Sequence, residues 1–223
     1  MNIHPLSLSF VQAYLLETPG GLLLVDSGTP GQERAILQAM QQVGRSDLKL
    51  IFITHAHADH FGSAAALRRL TGAPLAIHHA DAQAMASGKT PARSRKLLMR
   101  LILPLFNRLS PSQPTPADIL LEDGDTLEQF GLPGMVVHTP GHTPGSCCLV
   151  LEDQSGFVGD LVSTNGQPHL QHRFIEDGAQ LRQSYLRLRQ LKLEKVYPGH
   201  GRRMLDGEEL VRVIDAELDT IQP

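Results

Sequence analysis

Thr54-His55-Ala56-His57-Ala58-Asp59-His60 places three imidazoles and a carboxylate within six consecutive positions, 55–60. The apolar run Leu50-Ile51-Phe52-Ile53 precedes it, and Phe61-Gly62-Ser63-Ala64-Ala65-Ala66-Leu67 follows. Together they read as a buried strand, a polar loop and a helix. Neutral imidazole and carboxylate suit zinc, iron and related divalent metals. A solvated surface turn has no need of His at i and i+2 followed by Asp-His, so the stretch reads as a metal loop.

Upstream, residues 6–16 read as one strand that starts with period-two alternation. Pro19-Gly20-Gly21 turns it back into Leu22-Leu23-Leu24-Val25, a hairpin ending at Asp26. Thr29-Pro30-Gly31-Gln32 predicts a helix start, with Thr29 as the cap and Pro30 in the first helical position. Ala35, Ile36, Ala39, Met40 and Val43 give that helix a buried stripe, and Gly44 stops it.

Downstream, residues 73–77 predict a strand ended by His78 and His79, read as ordinary strand-end residues, and residues 80–86 a short helix. Residues 118–121 and 126–130 predict a hairpin around Glu122-Asp123-Gly124-Asp125. Met135-Val136-Val137 reads as a strand leading to His138, taken as structural. A second hairpin, from Ser146-Cys147-Cys148-Leu149-Val150-Leu151 to Phe157-Val158-Gly159, delivers Asp160. Leu181, Tyr185, Leu188 and Leu191 mark a helix over 178–191, Lys195-Val196-Tyr197 a strand delivering His200, and 208–218 a last helix.

Residues 89–108 stand apart. Leu97, Leu98, Leu101, Ile102 and Leu105 form an apolar helical stripe beside Lys89, Arg93, Arg95, Lys96, Arg100 and Arg108. Three readings stay open: a helix packed on the body with its basic side solvated, a mobile cover drawing in an anionic substrate, or a helix lying at a membrane surface.

A chain of 223 residues is ample for a sizeable core, and with a formal net charge of -3 nothing global argues for nucleic acid, so none is expected as a partner. The two cysteines are adjacent, so they read as buried thiols rather than a staple. No basic residue precedes Arg34, and no apolar run is long enough to span a bilayer. The expectation is a cytoplasmic protein without stable membrane insertion.

His55-x-His57-x-Asp59-His60 resembles the metal-binding motif of the metallo-β-lactamase superfamily. Further matches follow in family order: His142 in Gly141-His142-Thr143-Pro144-Gly145-Ser146, Asp160 in Gly159-Asp160, and His200 in Pro198-Gly199-His200-Gly201. Asp26 in Val25-Asp26-Ser27-Gly28 fits the early strand-end motif.

The resemblance implies an α/β fold, a four-layer αββα sandwich of two mixed β-sheets; periodicity alone gives only a layered α/β protein. It implies a single such domain over residues 1–223, interrupted by the basic helical insert at about 80–117. One metal falls to His55, His57 and His142, a second to Asp59, His60 and His200, with Asp160 bridging. The implied cofactors are two divalent ions, zinc first, iron or manganese as alternatives. Asp59 and Asp160 are the implied catalytic carboxylates, and Asp26 is a candidate for fixing an imidazole. Asn165 and His169 are candidate substrate contacts, weighed against ordinary loop polarity.

The implied activity is hydrolysis: water ionised between the metals attacks a small ester, thioester or lactone carbonyl. Departures narrow this. Asp160 fills a slot that is Cys in one β-lactamase class. Leu161-Val162-Ser163-Thr164 lacks the Tyr that lactonases of this superfamily often carry. A mononuclear-iron oxidoreductase resembling persulfide dioxygenases and a β-lactamase-like amide hydrolase are the alternatives.

Overall fold

A computed structural model describes residues 1–88, 112–172 and 174–221. Its first half contains β1 (Asn2–Leu8), β2 (Val11–Thr18), β3 (Gly21–Val25), β4 (Leu48–Ile53), β5 (Leu75–His78) and β6 (Ile119–Leu121). They run in the order β6-β5-β4-β3-β2, with β1 also on β2. The second half contains β7 (Gly134–His138), β8 (Cys147–Leu151), β9 (Ser155–Ser163), β10 (His169–Leu170), β11 (Lys195–His200) and β12 (Leu205–Asp206). Here the order is β11-β9-β8-β7, with β12 on β11 and β10 on β9. Each half mixes parallel and antiparallel pairs. The halves meet where Val11 of β2 pairs with His200 of β11.

Helices α1 (Glu33–Gln42), α2 (Ala58–Phe61), α3 (Ala64–Thr71) and α4 (His79–Ser87) belong to the first half, and α5 (Gly178–Gln190) and α6 (Gly207–Glu217) to the second. The buried apolar side chains fall into three clusters, which are the three spaces of a four-layer sandwich. Strand period explains the sorting. Leu50 and Phe52 of β4 enter the middle space, while Ile51 and Ile53 face the helices. Cys147 and Leu149 of β8 point inward, and Cys148 points to the α5 side. Strands buried on both faces read as continuous apolar runs rather than alternations.

Tyr14, Phe157 and Tyr197 pack together in the middle space. The Tyr14 hydroxyl donates to the Pro198 carbonyl at 2.6 Å, tying the halves one residue before Gly199-His200. Tyr14→Phe is expected to leave that carbonyl unsatisfied and to cost about 1–2 kcal/mol, read as a lower denaturant midpoint.

Four local expectations need correction. The strand over 6–16 is two strands, because Ser9-Phe10 makes a two-residue turn with Ser9 at φ 66° and Leu8 opposite Val11. The apolar pattern runs through that turn and hides it. Helix α1 starts at Glu33 rather than Pro30, because Gly31 takes φ 90°, which no helix interior allows. Thr29 does not cap it: Ser63 donates to the Thr29 carbonyl and accepts from the Gln32 N–H.

The segments flanking Glu122-Asp123-Gly124-Asp125 do not form a hairpin. β6 pairs parallel with β5, Thr126 bridges to Met135, and Glu128–Phe130 is a 3₁₀ turn. Finally, β9 runs on through Asp160 to Ser163 instead of ending before it. The basic segment 89–108 lies outside the described residues. Among the described residues, no helix is long and apolar enough to cross a membrane.

Candidate metal centre

Four segments deliver polar side chains to one place. The chain leaves β4 at Ile53, and His57 holds extended backbone before α2. His142 comes from the turn between β7 and β8, and His200 ends β11. Asp160 lies within β9, beside a register shift against β11 and next to Gly159 at φ 50°. A Cβ on Gly159 would meet the Thr54 hydroxyl at 2.9 Å, so this kink requires glycine.

Two groups form. His55, His57, His142 and Asp160 make one, and Asp59, His60 and His200 the other, each with ligand atoms within 4.8 Å of one another. His57 Nδ1 lies 3.1 Å from His55 Nε2 and 3.0 Å from His142 Nε2. Nitrogens about 2.0–2.1 Å from a tetrahedral zinc are about 3.3 Å apart, so this convergence has the right scale for a cation. In the second group, Asp59 Oδ2 is 3.5 Å from His200 Nε2 and 3.9 Å from His60 Nε2.

Asp160 faces both groups. Its Oδ1 lies 3.2 Å from His60 Nε2 and 3.2 Å from His200 Nε2, and its Oδ2 lies 3.4 Å from His142 Nε2. His60 Nε2 and Asp160 Oδ1 are buried, close, and not aligned to hydrogen-bond. Buried polar atoms are nearly always satisfied, and a cation between these two would satisfy both. The residues present therefore fit divalent metal.

The electrostatics differ between the groups. Burial lowers the pKa of His55 well below that of free imidazole, aided by His60 and His57, and lowers that of His57 too. Burial together with His57 pushes His142 down to about 3. These rings are neutral near neutral pH and present lone pairs. Burial opposes charge on His60, but Asp160, Asp26 and Asp59 outweigh it and raise its pKa well above the usual value. His200 is raised against burial mainly by Asp160. Burial would raise Asp160, yet His200 and His60 hold it well below the usual carboxylate range.

Hydrogen bonds behind the rings set their tautomers. His60 Nδ1 donates to Asp26 Oδ2 at 2.8 Å, and His200 Nδ1 donates to the Phe10 carbonyl at 3.1 Å. The Thr54 hydroxyl donates to Asp26 at 2.9 Å, so at 3.0 Å it accepts from His55 Nδ1. Each arrangement leaves Nε2 facing the centre. Asp26 thus fixes His60 directly and His55 through Thr54.

The seven histidines and aspartates singled out for metal are therefore brought together. Asn165 and His169 belong to neither group. The Asn165 N–H donates to Ser163 Oγ, and His169 Nδ1 donates to the Gln167 carbonyl. His78 stacks on His138 at 3.9 Å, and His138 Nε2 donates to the Pro144 carbonyl. Asp81, which belongs to none of the motifs above, has a buried carboxylate that accepts from Ala56, Thr143 and Gly145. An acid in the first turn of a short helix ordinarily reads as a solvated partner of the helix dipole, so no sequence signal marked it.

Known proteins resemble this chain in sequence and fold. The "Probable metallo-hydrolase YflN" of Bacillus subtilis is 30% identical over 226 residues, covering 90% of this chain and 84% of that protein. A "Hydroxyacylglutathione hydrolase" of Albidiferax ferrireducens is 31% identical over 149 residues, covering 65% of this chain and 44% of that protein. The crystal structure of TTHA1623 in a di-iron-bound form is 27% identical, with a TM-score of 0.71, covering 96% of this chain and 98% of that one. Residues 6–200 match the profile of the Metallo-beta-lactamase superfamily, so most of the chain carries the family pattern and the chain belongs to that superfamily.

Proposed function

We propose that this protein is a binuclear metal-dependent hydrolase acting on a small ester, thioester or lactone. The observation that carries the reading is Asp160, whose two oxygens face two separate groups of ligand-type side chains. His55, His57 and His142 would hold one cation, Asp59, His60 and His200 the other, and Asp160 both. Two divalent ions there, zinc first with iron or manganese as alternatives, supply the acidity that ionises water near neutral pH and the charge that stabilises an oxyanion.

The protein's own groups do the rest. The neutral nitrogens of the three-histidine group need shed no proton to bind a cation, whereas the carboxylates around His60 and His200 favour a proton that competes with one. Burial keeps bulk water from His55, His60 and His142. Asp59 is the more open carboxylate, its side chain 26% exposed against 9% for Asp160. Its exposure leaves it within reach of entering water and substrate, while Asp160 holds the two halves at a fixed spacing. Asp160 in the bridging position favours ester-type substrates over dedicated β-lactam hydrolysis. The relative named for hydroxyacylglutathione, itself a thioester, supports the same class.

Metal quantitation on the purified protein, followed by an ester, thioester, lactone and β-lactam panel, tests the reading. The expected result is two equivalents of metal, with turnover lost on chelation and restored by adding the ion back. One iron per chain with oxygen consumption and no hydrolysis would overturn it.

A further inference from the structure

We infer that Asp81 is a positioning residue for the three-histidine half of the centre alone. The inference rests on the metal-binding reading above and goes beyond it. Asp81 sits in the first turn of α4 and is 1% exposed. Its Oδ2 accepts from the Ala56 N–H at 2.8 Å and the Thr143 hydroxyl at 2.7 Å, and its Oδ1 accepts from the Gly145 N–H at 2.7 Å. Ala56 lies between His55 and His57, and Thr143 follows His142. One carboxylate therefore spans the two loops that carry all three imidazoles of this half.

The loop closes onto it tightly. A Cβ on Gly145 would lie 2.6 Å from Asp81 Cβ, Cγ and N, so only glycine lets the loop approach. Thr143 is fixed further: its hydroxyl lies 2.8 Å from Ser146 Oγ, and Ser146 Oγ accepts from the Thr143 N–H at 3.0 Å.

The other half is held by different atoms. Asp26 and the Phe10 carbonyl fix His60 and His200, and none of the Asp81 contacts reaches Asp59, His60 or His200. Asp26 also orients the His55 ring through Thr54. What Asp81 sets is different: the separation of two backbone segments, and so the spacing of His142 from His55 and His57.

The chemistry makes Asp81 hard to replace. All three partners are donors, and both oxygens must accept. An asparagine of the same size has one accepting oxygen, so its NH₂ must face either the Ala56 N–H or the Gly145 N–H. One loop then loses its anchor, with no change in volume. Groups that orient metal ligands typically contribute 10–100-fold in metal affinity.

Cobalt(II) titration of the metal-free full chain tests this, read by visible absorption with chelator competition. In a His200→Ala background the three-histidine half is the one that binds, and there Asp81→Asn is expected to weaken cobalt about 10–100-fold. In a His142→Ala background the surviving half is expected to change by less than ~3-fold on the same substitution. Thr143→Val, which removes one contact and keeps the carboxylate, is expected to weaken the three-histidine half by a smaller factor. It carries the test if Asp81→Asn does not fold. Equal weakening of both halves would make Asp81 general scaffolding and overturn the inference, as would no weakening of either. A wild-type chain that takes up no cobalt would overturn the metal reading and this inference together. A wild type that binds two equivalents, unaltered by Asp81→Asn and Thr143→Val, would overturn this inference alone.

Discussion

Asp160→Ala is expected to lower turnover by about 10³-fold or more and to leave purified protein short of metal. Asp160 places one oxygen 3.2 Å from His60 and His200 and the other 3.4 Å from His142. Without it, no carboxylate joins the two groups. The fold should survive, because Asp160 sits in a strand anchored by backbone pairing to β11 and by buried neighbours Leu161 and Val162. Circular dichroism and a thermal melt check that survival, and metal content with turnover checks the site. Full activity in a well-folded Asp160→Ala protein would refute the assigned centre.

Gly199→Ala is the second large effect, although Gly199 is not itself a ligand. A Cβ there would lie 2.7 Å from His60 Cε1, 2.8 Å from Asp160 Oδ1 and 3.1 Å from the Gly159 carbonyl. The methyl group would wedge the pair that joins the halves. Displacements of about 1 Å at a reacting centre cost on the order of 10²-fold in rate, and a loss of that size is expected here. Strain in the backbone is not the cause, since Gly199 does not have positive φ. Steady-state kinetics beside a thermal melt separates the two: turnover should fall far more than stability. A variant with wild-type kinetics would show that His60 and Asp160 can part without consequence.

The main lines of this fold and centre were legible because density of chemistry is visible in a sequence. Three histidines and an aspartate within six positions have no packing explanation. The apolar runs before His55 and His200 marked strands correctly. What stayed hidden were features set by partners distant in the chain. Thr29-Pro30-Gly31-Gln32 looks like a helix start, but Ser63, from the turn before α3, accepts from the Gln32 N–H and donates to the Thr29 carbonyl. Asp160 reads as the end of a strand because Gly159 precedes it, yet β11 carries the pairing past the kink to Ser163. Asp81 gives no local sign, since its donors lie 25, 62 and 64 residues away.

Cys147 and Cys148 are neighbours in the chain but belong to different apolar spaces, one between the sheets and one beneath α5. Burial raises the Cys147 pKa well above its usual value and pushes Cys148 up to about 12, so neither reacts readily while folded. Alkylation of each sulfur then clocks the breathing of its own compartment. Two adjacent residues give one molecule two independent stopwatches, able to distinguish peeling of an outer helix from parting of the two halves.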